Sequence, residues 1–593
     1  MKKFSYIIAA SLMSMGLASC SDLLDVNSTT QLSDVAIWNS EEAAEGYVIA
    51  SYQTFTDHAN VHNIALGSNP NRFYDAFSDI IKSTSWDQND HLYNKSLMLS
   101  TTFGKNNGGT FGVWNDEYGR IKRANILLND IDRYGVSRYG EEWCEVRRAE
   151  ARFCNAINYF FLARAYGGVI IRTHESGKTG LTDDGKYPED CNRARVSEKE
   201  TYDYIIKEIN WAIERLPQTW VNDKYKEKYL GRATKAIAYG FLSRIALYAA
   251  CVDGLTDEQK KEYYDIVIDA ADKCKQLGDY GLVSNYSQLF SPDNEKENRK
   301  EIIYAMYGLQ KYKVNDYDTY VRPVGDAAVY NTAISALFVP TAELADMYEF
   351  KDGTSIDWND WEWDHDDPFT DREPRFHATI LYNGAKWENR TIQTYVGLDT
   401  RNKTDYGTDY FVEYENARST DGHTCTGYYL KKFLLEGKSE FTTERSWNND
   451  IVLRYAEVLL NKAEAYAMTN RYQEALDAVN EIRARVELPA KKISQFGNQD
   501  AMMELIRRER CCELAGEGLR YWDIRRWKIA DKVINGQNVH GCKITRNSSG
   551  ILTYETVDAD GGNKRIFQDR YYKFSIPAAE LTNNNLCVDN PGW

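Results

Sequence analysis

"RYAEVLLNKAEAYAMTNRYQEALDAVNEIRARVELP", residues 454–489, decides the architecture of this chain. Tyr455, Leu459, Ala463 and Tyr466 recur at three- and four-residue spacings, which puts them on one face of a helix. Tyr472, Ala475, Leu476, Val479 and Ile482 form a second such face. The link at Thr469-Asn470 is so short that the two helices must be antiparallel neighbours. Small Ala463 allows close approach, and Tyr466 and Val479 fill the flanks.

The small/aromatic alternation at Ala463, Tyr466, Ala475 and Val479, with Pro489 just beyond, matches a tetratricopeptide helix pair. Similar stretches precede it. Residues 143–166 carry Ala149, Phe153, Ala156, Ile157 and Phe160 on one stripe and end at Gly167-Gly168. Residues 197–215 read as a helix closed by Pro217, residues 232–250 repeat the pattern through Ala233, Ile237, Phe241 and Tyr248, and 256–277 form another. Ser40 is placed to cap a helix over 41–57, with Glu41 and Glu42 in its first turn. Pairs that bury their faces only against neighbours build a solenoid-like stack. The expected fold class is therefore mainly α, a tetratricopeptide-like stack with few short strands.

Between the helical blocks, residues 291–445 lose the period. "DWNDWEWDHDDPFTDREPRF" (357–376) and "YNGAKWENR" (382–390) are rich in turn-forming Asp, Asn and Gly, with Trp among them. Such a segment is expected to be a loop-rich, ligand-binding layer mounted on a rigid frame.

The N-terminus sets the address. Met1-Lys2-Lys3 is followed by an apolar run from Phe4 to Leu17, too short to span a bilayer and typical of an export signal. It ends Leu17-Ala18-Ser19-Cys20, the form of a bacterial lipobox, in which the cysteine is acylated (palmitate) and becomes the first mature residue. The divisions expected are a signal peptide at 1–19, a lipid-anchored tether at 20–35, an N-terminal helical region at 36–290, the loop-rich insert at 291–445 and a C-terminal region at 446–593. A net charge of -16 argues against nucleic acid, which demands clustered Lys and Arg. The ten cysteines other than Cys20 are expected to be mostly buried thiols.

Several stretches together resemble the SusD/RagB nutrient-uptake lipoproteins. They are "ELAGEGLRYWDIRRW" (513–527), "TGYYLKKF" (426–433), "RYAEVLLNKAEA" (454–465), "AEARFCNAINYFFLARAYGGV" (149–169) and the terminal "DNPGW" (589–593). The lipobox and "IWNSEEAAEGYVIASYQTF" (37–55) agree. One departure is "GGVIIR" (167–172), where the family usually has proline after the valine. The resemblance implies a surface-exposed outer-membrane lipoprotein that captures glycans, or in some branches peptides. Such proteins act as lids on a SusC-like TonB-dependent β-barrel transporter. In "LRYWDIRRW", Arg520, Asp523, Arg525 and Arg526 suggest anion binding on one reading; the other is an ion-paired helix end that packs Trp522 and Trp527 into the core.

Sugars offer polar edges and weakly apolar C–H faces, so a site wants aromatic platforms flanked by amide, carboxylate and guanidinium groups. "STSWDQNDHLY" (83–93) supplies Trp86, Asp87, Asn89 and Asp90. "RPVGDAAVY" (322–330) supplies Arg322, Asp326 and Tyr330, and the acidic run supplies Trp358 and Trp363, with Trp361, Trp387 and Trp114 behind them. No cofactor is expected; an irregular calcium site at Asp364, Asp366 and Asp367 stays open as an alternative. Enzyme signatures are missing. "SGKTG" (176–180) lacks the leading glycine of a phosphate loop, His58 and His62 lack the glutamate of HExxH, and both acidic runs place Trp361 or Gly562 where an EF-hand needs Asp or Asn. The remaining rival is a secreted glycoside hydrolase, which needs only two carboxylates across a bond.

Overall fold

The computed structural model describes residues 37–55, 73–84, 113–175, 180–182, 185–188, 191–220, 231–358, 367–399, 401, 403–414 and 422–593. The frame consists of α1 (Glu41–Ala50), α2 (Trp114–Asp130), α3 (Glu141–Tyr166), α4 (Glu198–Arg215), α5 (Lys235–Ala249), α6 (Asp257–Gly278), α7 (Tyr455–Met468), α8 (Tyr472–Arg485), α9 (Gln499–Leu514) and α10 (Arg520–Arg526). Packing follows chain order. α2 lies on α3, α3 on α4, α4 on α5, α5 on α6, α6 on α7, and α7 on both α8 and α9. This is a mainly α, tetratricopeptide-like stack.

Local chemistry explains where each helix starts and stops. Ser197 accepts from the Glu200 amide at 3.2 Å while the Glu200 carboxylate accepts from the Ser197 amide at 2.9 Å, a reciprocal cap on α4. Thr256 and Gln259 do the same for α6. α3 ends where Gly167 turns to φ 74°. In the α7–α8 pair, Ala463 and Ala475 are fully buried small residues, and Asn470, at φ 61°, lies in the reversal between the helices. α5 passes so close to its neighbours that a Cβ on Gly240 would stand 2.9 Å from the Leu453 side chain and 3.3 Å from that of Cys274. The helix expected over 41–57 is α-helical to Ala50, tightens to a 3₁₀ turn over Ser51–Gln53 and is α-helical again at Thr54 and Phe55, the last residues described there. α2 has no counterpart in the sequence reading, because buried Glu117, Arg120 and Asn125 interrupt its apolar stripe.

Strands are few and short. β1 (Ile81–Ser83) pairs antiparallel with β3 (Phe338–Pro340), and β2 (Ile302–Met306) with β5 (Asp450–Arg454). A hairpin of β6 (His540–Arg546) and β7 (Leu552–Asp558) sets Lys543 opposite Glu555 and takes β4 (Val396–Gly397) parallel on its other edge. All the described cysteines are free thiols, most of them buried. Among the described residues no helix is long and apolar enough to cross a membrane.

Buried charge ties the frame together. β5 runs straight into α7, and Arg454 at the junction reaches Glu301 at 2.8 Å, Glu513 at 2.6 Å and Glu517 at 2.7 Å. Glu513 also meets Arg485 at 2.5 Å and Arg375 at 3.3 Å, so three guanidiniums share one carboxylate. Within 513–527, Arg520 pairs with Asp79 at 2.7 Å, Asp523 bridges Arg510 at 2.6 Å and Arg526 at 2.8 Å, and Trp522 is buried. The half-buried Trp527 donates its Nε1–H to Glu464 at 3.0 Å. For Arg520, Asp523 and Arg526 the structure takes the ion-paired reading. The Asp75 carboxylate accepts from the amides of Gly516 at 3.0 Å, Gly518 at 3.1 Å and Arg520 at 3.1 Å, which joins the start of the chain to its end.

Candidate ligand-binding face

The loops of 308–447 have little regular structure, so their placement rests on side chains. Asp318, Arg322 and Asp326 stand four apart on two short helical turns, Tyr317–Val321 and Asp326–Tyr330. Arg322 donates to Asp318 at 2.9 Å, Asp326 at 3.0 Å and Glu388 at 3.1 Å. Asp326 accepts from Arg390 at 2.6 Å and from the Trp387 indole at 2.9 Å, and Arg390 continues to Asp409 at 2.6 Å. Asp409 then holds the Gly325 amide at 3.0 Å. This alternating chain of charges fastens three separate segments, 318–326, 387–390 and the turn at Asp409. Rings close it off: the Arg322 guanidinium lies 4.4 Å from the centroid of Phe441, 5.1 Å from Tyr330 and 5.2 Å from Trp387.

Two expected ligand residues are thereby corrected. Arg322 and Asp326 are both fully buried and satisfy one another, so they hold the layer instead of facing a ligand. Trp387 is likewise buried, as is Trp114 at the start of α2. Trp358 is half-buried, and its indole N–H donates to Asp346 at 2.9 Å; burial pushes the Asp346 carboxyl up to about 6. Asp367 accepts from the amides of Phe369 at 2.6 Å and Thr370 at 3.0 Å, which closes a local turn. Among the described residues no group of three His, Cys, Asp or Glu is placed to hold a metal ion. Cys20, Trp86, Asp87, Asn89, Asp90, Trp361, Trp363, Asp364 and Asp366 lie outside the described residues, as do His58 and His62.

Tyr330 remains at the surface. It is half-buried, packs edge-on against Phe441 at 5.1 Å, and burial pushes its hydroxyl up to about 12. Beyond the short helix Phe441–Glu444, a tight turn presents Tyr312, which is 87% exposed. That turn is anchored by Gln310 on Glu444 at 2.6 Å and Lys311 on Glu444 at 3.0 Å. Val329, exposed beside Tyr330, and the Arg445–Asp316 pair at 2.6 Å complete the surroundings. The result is two phenol rings among amide, ammonium, carboxylate and guanidinium groups, on loops that the buried charges fix. The sequence reading missed Tyr312. Its signal is a lone ring between two lysines in "LQKYKVND". Behind this face, a cavity of about 300 Å³ opens between Phe290, Trp387, Lys431 and Glu436.

Comparison with known proteins agrees with this architecture. A model described as the SusD family matches residues 300–593, and one described as starch-binding associating with outer membrane matches residues 22–247. SusD-like protein P2 of Formosa agariphila is 25% identical over 504 residues, which covers 83% of this chain and 82% of that one. Starch-binding protein SusD of Bacteroides thetaiotaomicron is 24% identical over 470 residues, covering 75% and 73%. A solved SusD-like carbohydrate binding protein from Bacteroides fragilis superposes with a TM-score of 0.70 at 24% identity, over 93% of this chain and 99% of that one. The two family matches between them span most of the sequence, and the fold is shared along nearly its whole length: the chain belongs to the SusD family.

Proposed function

We propose that this chain is a cell-surface glycan-binding lipoprotein, acylated at Cys20 and held at the outer membrane. It captures oligosaccharides on the loop layer and hands them to a SusC-like TonB-dependent transporter. The observation that carries this reading is the display of Tyr312, 87% exposed, with Tyr330 nearby, on loops locked by a buried ion chain. Stacking on such rings needs no deep apolar pocket. The names of relatives support a glycan as the ligand class: one is the starch-binding SusD, and another, a laminarin binding SusD-like protein, shares the fold with a TM-score of 0.60. The segment around Trp86 belongs to the same proposal as a further stacking element.

The reading is of a binding protein and not a hydrolase. Electrophoresis through gels containing starch, laminarin or xylan tests it. Retardation by at least one polymer is expected, weakened about tenfold in affinity by Tyr312→Ala, since one platform is lost. Free migration through every polymer, or release of sugar from any of them, would overturn it.

A further inference from the structure

Arg520 and Arg526 of the 513–527 segment are ion-paired, but Arg525 is not. It is 4% exposed. Its Nη2 donates to the Tyr571 carbonyl and its guanidinium lies against Tyr521, 4.9 Å from the ring centroid, but no carboxylate among the described residues pairs with it. Trp522, three positions earlier and also buried, has an indole N–H without an acceptor. Arg164, half-buried in the last turn of α3, lies 4.3 Å above the Trp522 ring and 4.6 Å from that of Phe161, with no ion pair among the described residues. These three side chains line one cavity of about 30 Å³.

The other charges on that wall balance. Lys528 pairs with Asp253 at 2.8 Å, Lys573 with Glu198, and Arg526 with Glu464 and Asp523. Two guanidiniums are left over. Burying an ion without a counter-charge is costly, and a ring face offsets only part of that cost. Burial accordingly draws both arginines below their ordinary pKa. Guanidiniums without a carboxylate partner around a small, partly open cavity describe an anion's surroundings, and ~30 Å³ holds one or two waters or one halide.

We infer that this cavity binds one small inorganic anion of chloride size, held by Arg164, Arg525 and the Trp522 N–H. Such an ion would clamp the end of α3 to α10. The inference does not rest on the glycan reading, because the cavity shares no residue with the ligand face.

Bromide is the probe. Crystals of the full-length chain grown in sodium bromide should show one anomalous peak in the cavity. In solution, melting in bromide against gluconate at equal ionic strength should show a saturable Tm rise of about 2 °C, as expected for a ligand near a hundredfold over its Kd on a chain this long. Arg164→Gln should abolish both signals while melting in gluconate no lower than the parent. Arg525→Met should abolish the peak as well. Water alone in the cavity, a Tm indifferent to the anion, or a shift that survives Arg164→Gln would overturn the inference.

Discussion

In the helix stack, the buried residues mix alanines with aromatic and aliphatic side chains, as at Ala463, Tyr466, Ala475 and Val479. In the loop layer, the central buried residue is often an arginine. Arg322 and Arg372 are both fully buried, and Arg372 donates to the carbonyls of Pro368 at 3.0 Å and Tyr348 at 2.5 Å. The difference follows from the backbone. A helix satisfies its own carbonyls, so its sides are free to be apolar. A loop has no ladder, and its buried carbonyls need donors from elsewhere. Arginine brings five donors in a fixed fork and so holds several loops at once. The layer that displays Tyr312 is held chiefly by ion pairs, whereas in the stack ion pairs such as Arg485–Glu513 at 2.5 Å add to a close-packed apolar core.

That contrast can be broken most severely at the centre of the ion chain. Arg322→Met leaves Asp318 buried without a counter-charge and Asp326 with Arg390 alone, and should cost about 3–5 kcal/mol in urea unfolding. New protease cuts should fall in 308–447 and not in the helices. Acid attacks the same kind of bond. Burial alone would raise the Glu513 pKa, but Arg485, Arg454 and Arg375 outweigh it and hold the carboxyl well below the ordinary range; Glu517 and Asp523 are also lowered against their burial. Each folded pKa is below its unfolded value of about 4. The stabilisation is therefore complete above that pH and is lost as pH falls through the folded values. The urea midpoint should drop steeply below about pH 4, and less steeply in Glu513→Gln. The apolar seam between α7 and α8 should respond to volume instead: Ala463→Phe should cost about 1–3 kcal/mol, with little further dependence on pH. Smallest of all, Tyr312→Ala should move stability by no more than about 0.5 kcal/mol while weakening glycan retardation, which separates display from support.

The same contrast explains what could be read from the sequence. Helix pairs declare themselves within a few residues, because the partners on one face are three or four apart, and α3 to α8 lie close to where the periodicity puts them. α2 escaped because its buried polar residues hide the stripe. In the ion chain, Arg322 meets Glu388 across 66 positions and Arg390 meets Asp326 across 64, separations that leave no periodic trace. A hint was present all the same. Asp318, Arg322 and Asp326 alternate in sign at a spacing of four, the pattern of residues that pair with one another. Tyr312 was harder to see, since a single exposed ring carries no pattern beyond its polar neighbours.

The three amide bonds onto Asp75 reach across more than 440 positions. Synthesis delivers the N-terminal segment first. Its carboxylate must then wait, unmatched, until glycines near the far end emerge. The protein is thus completed late and at once, as an arch is by its keystone. A chain cut short before residue 516 would not be a smaller version of the molecule but one left permanently open.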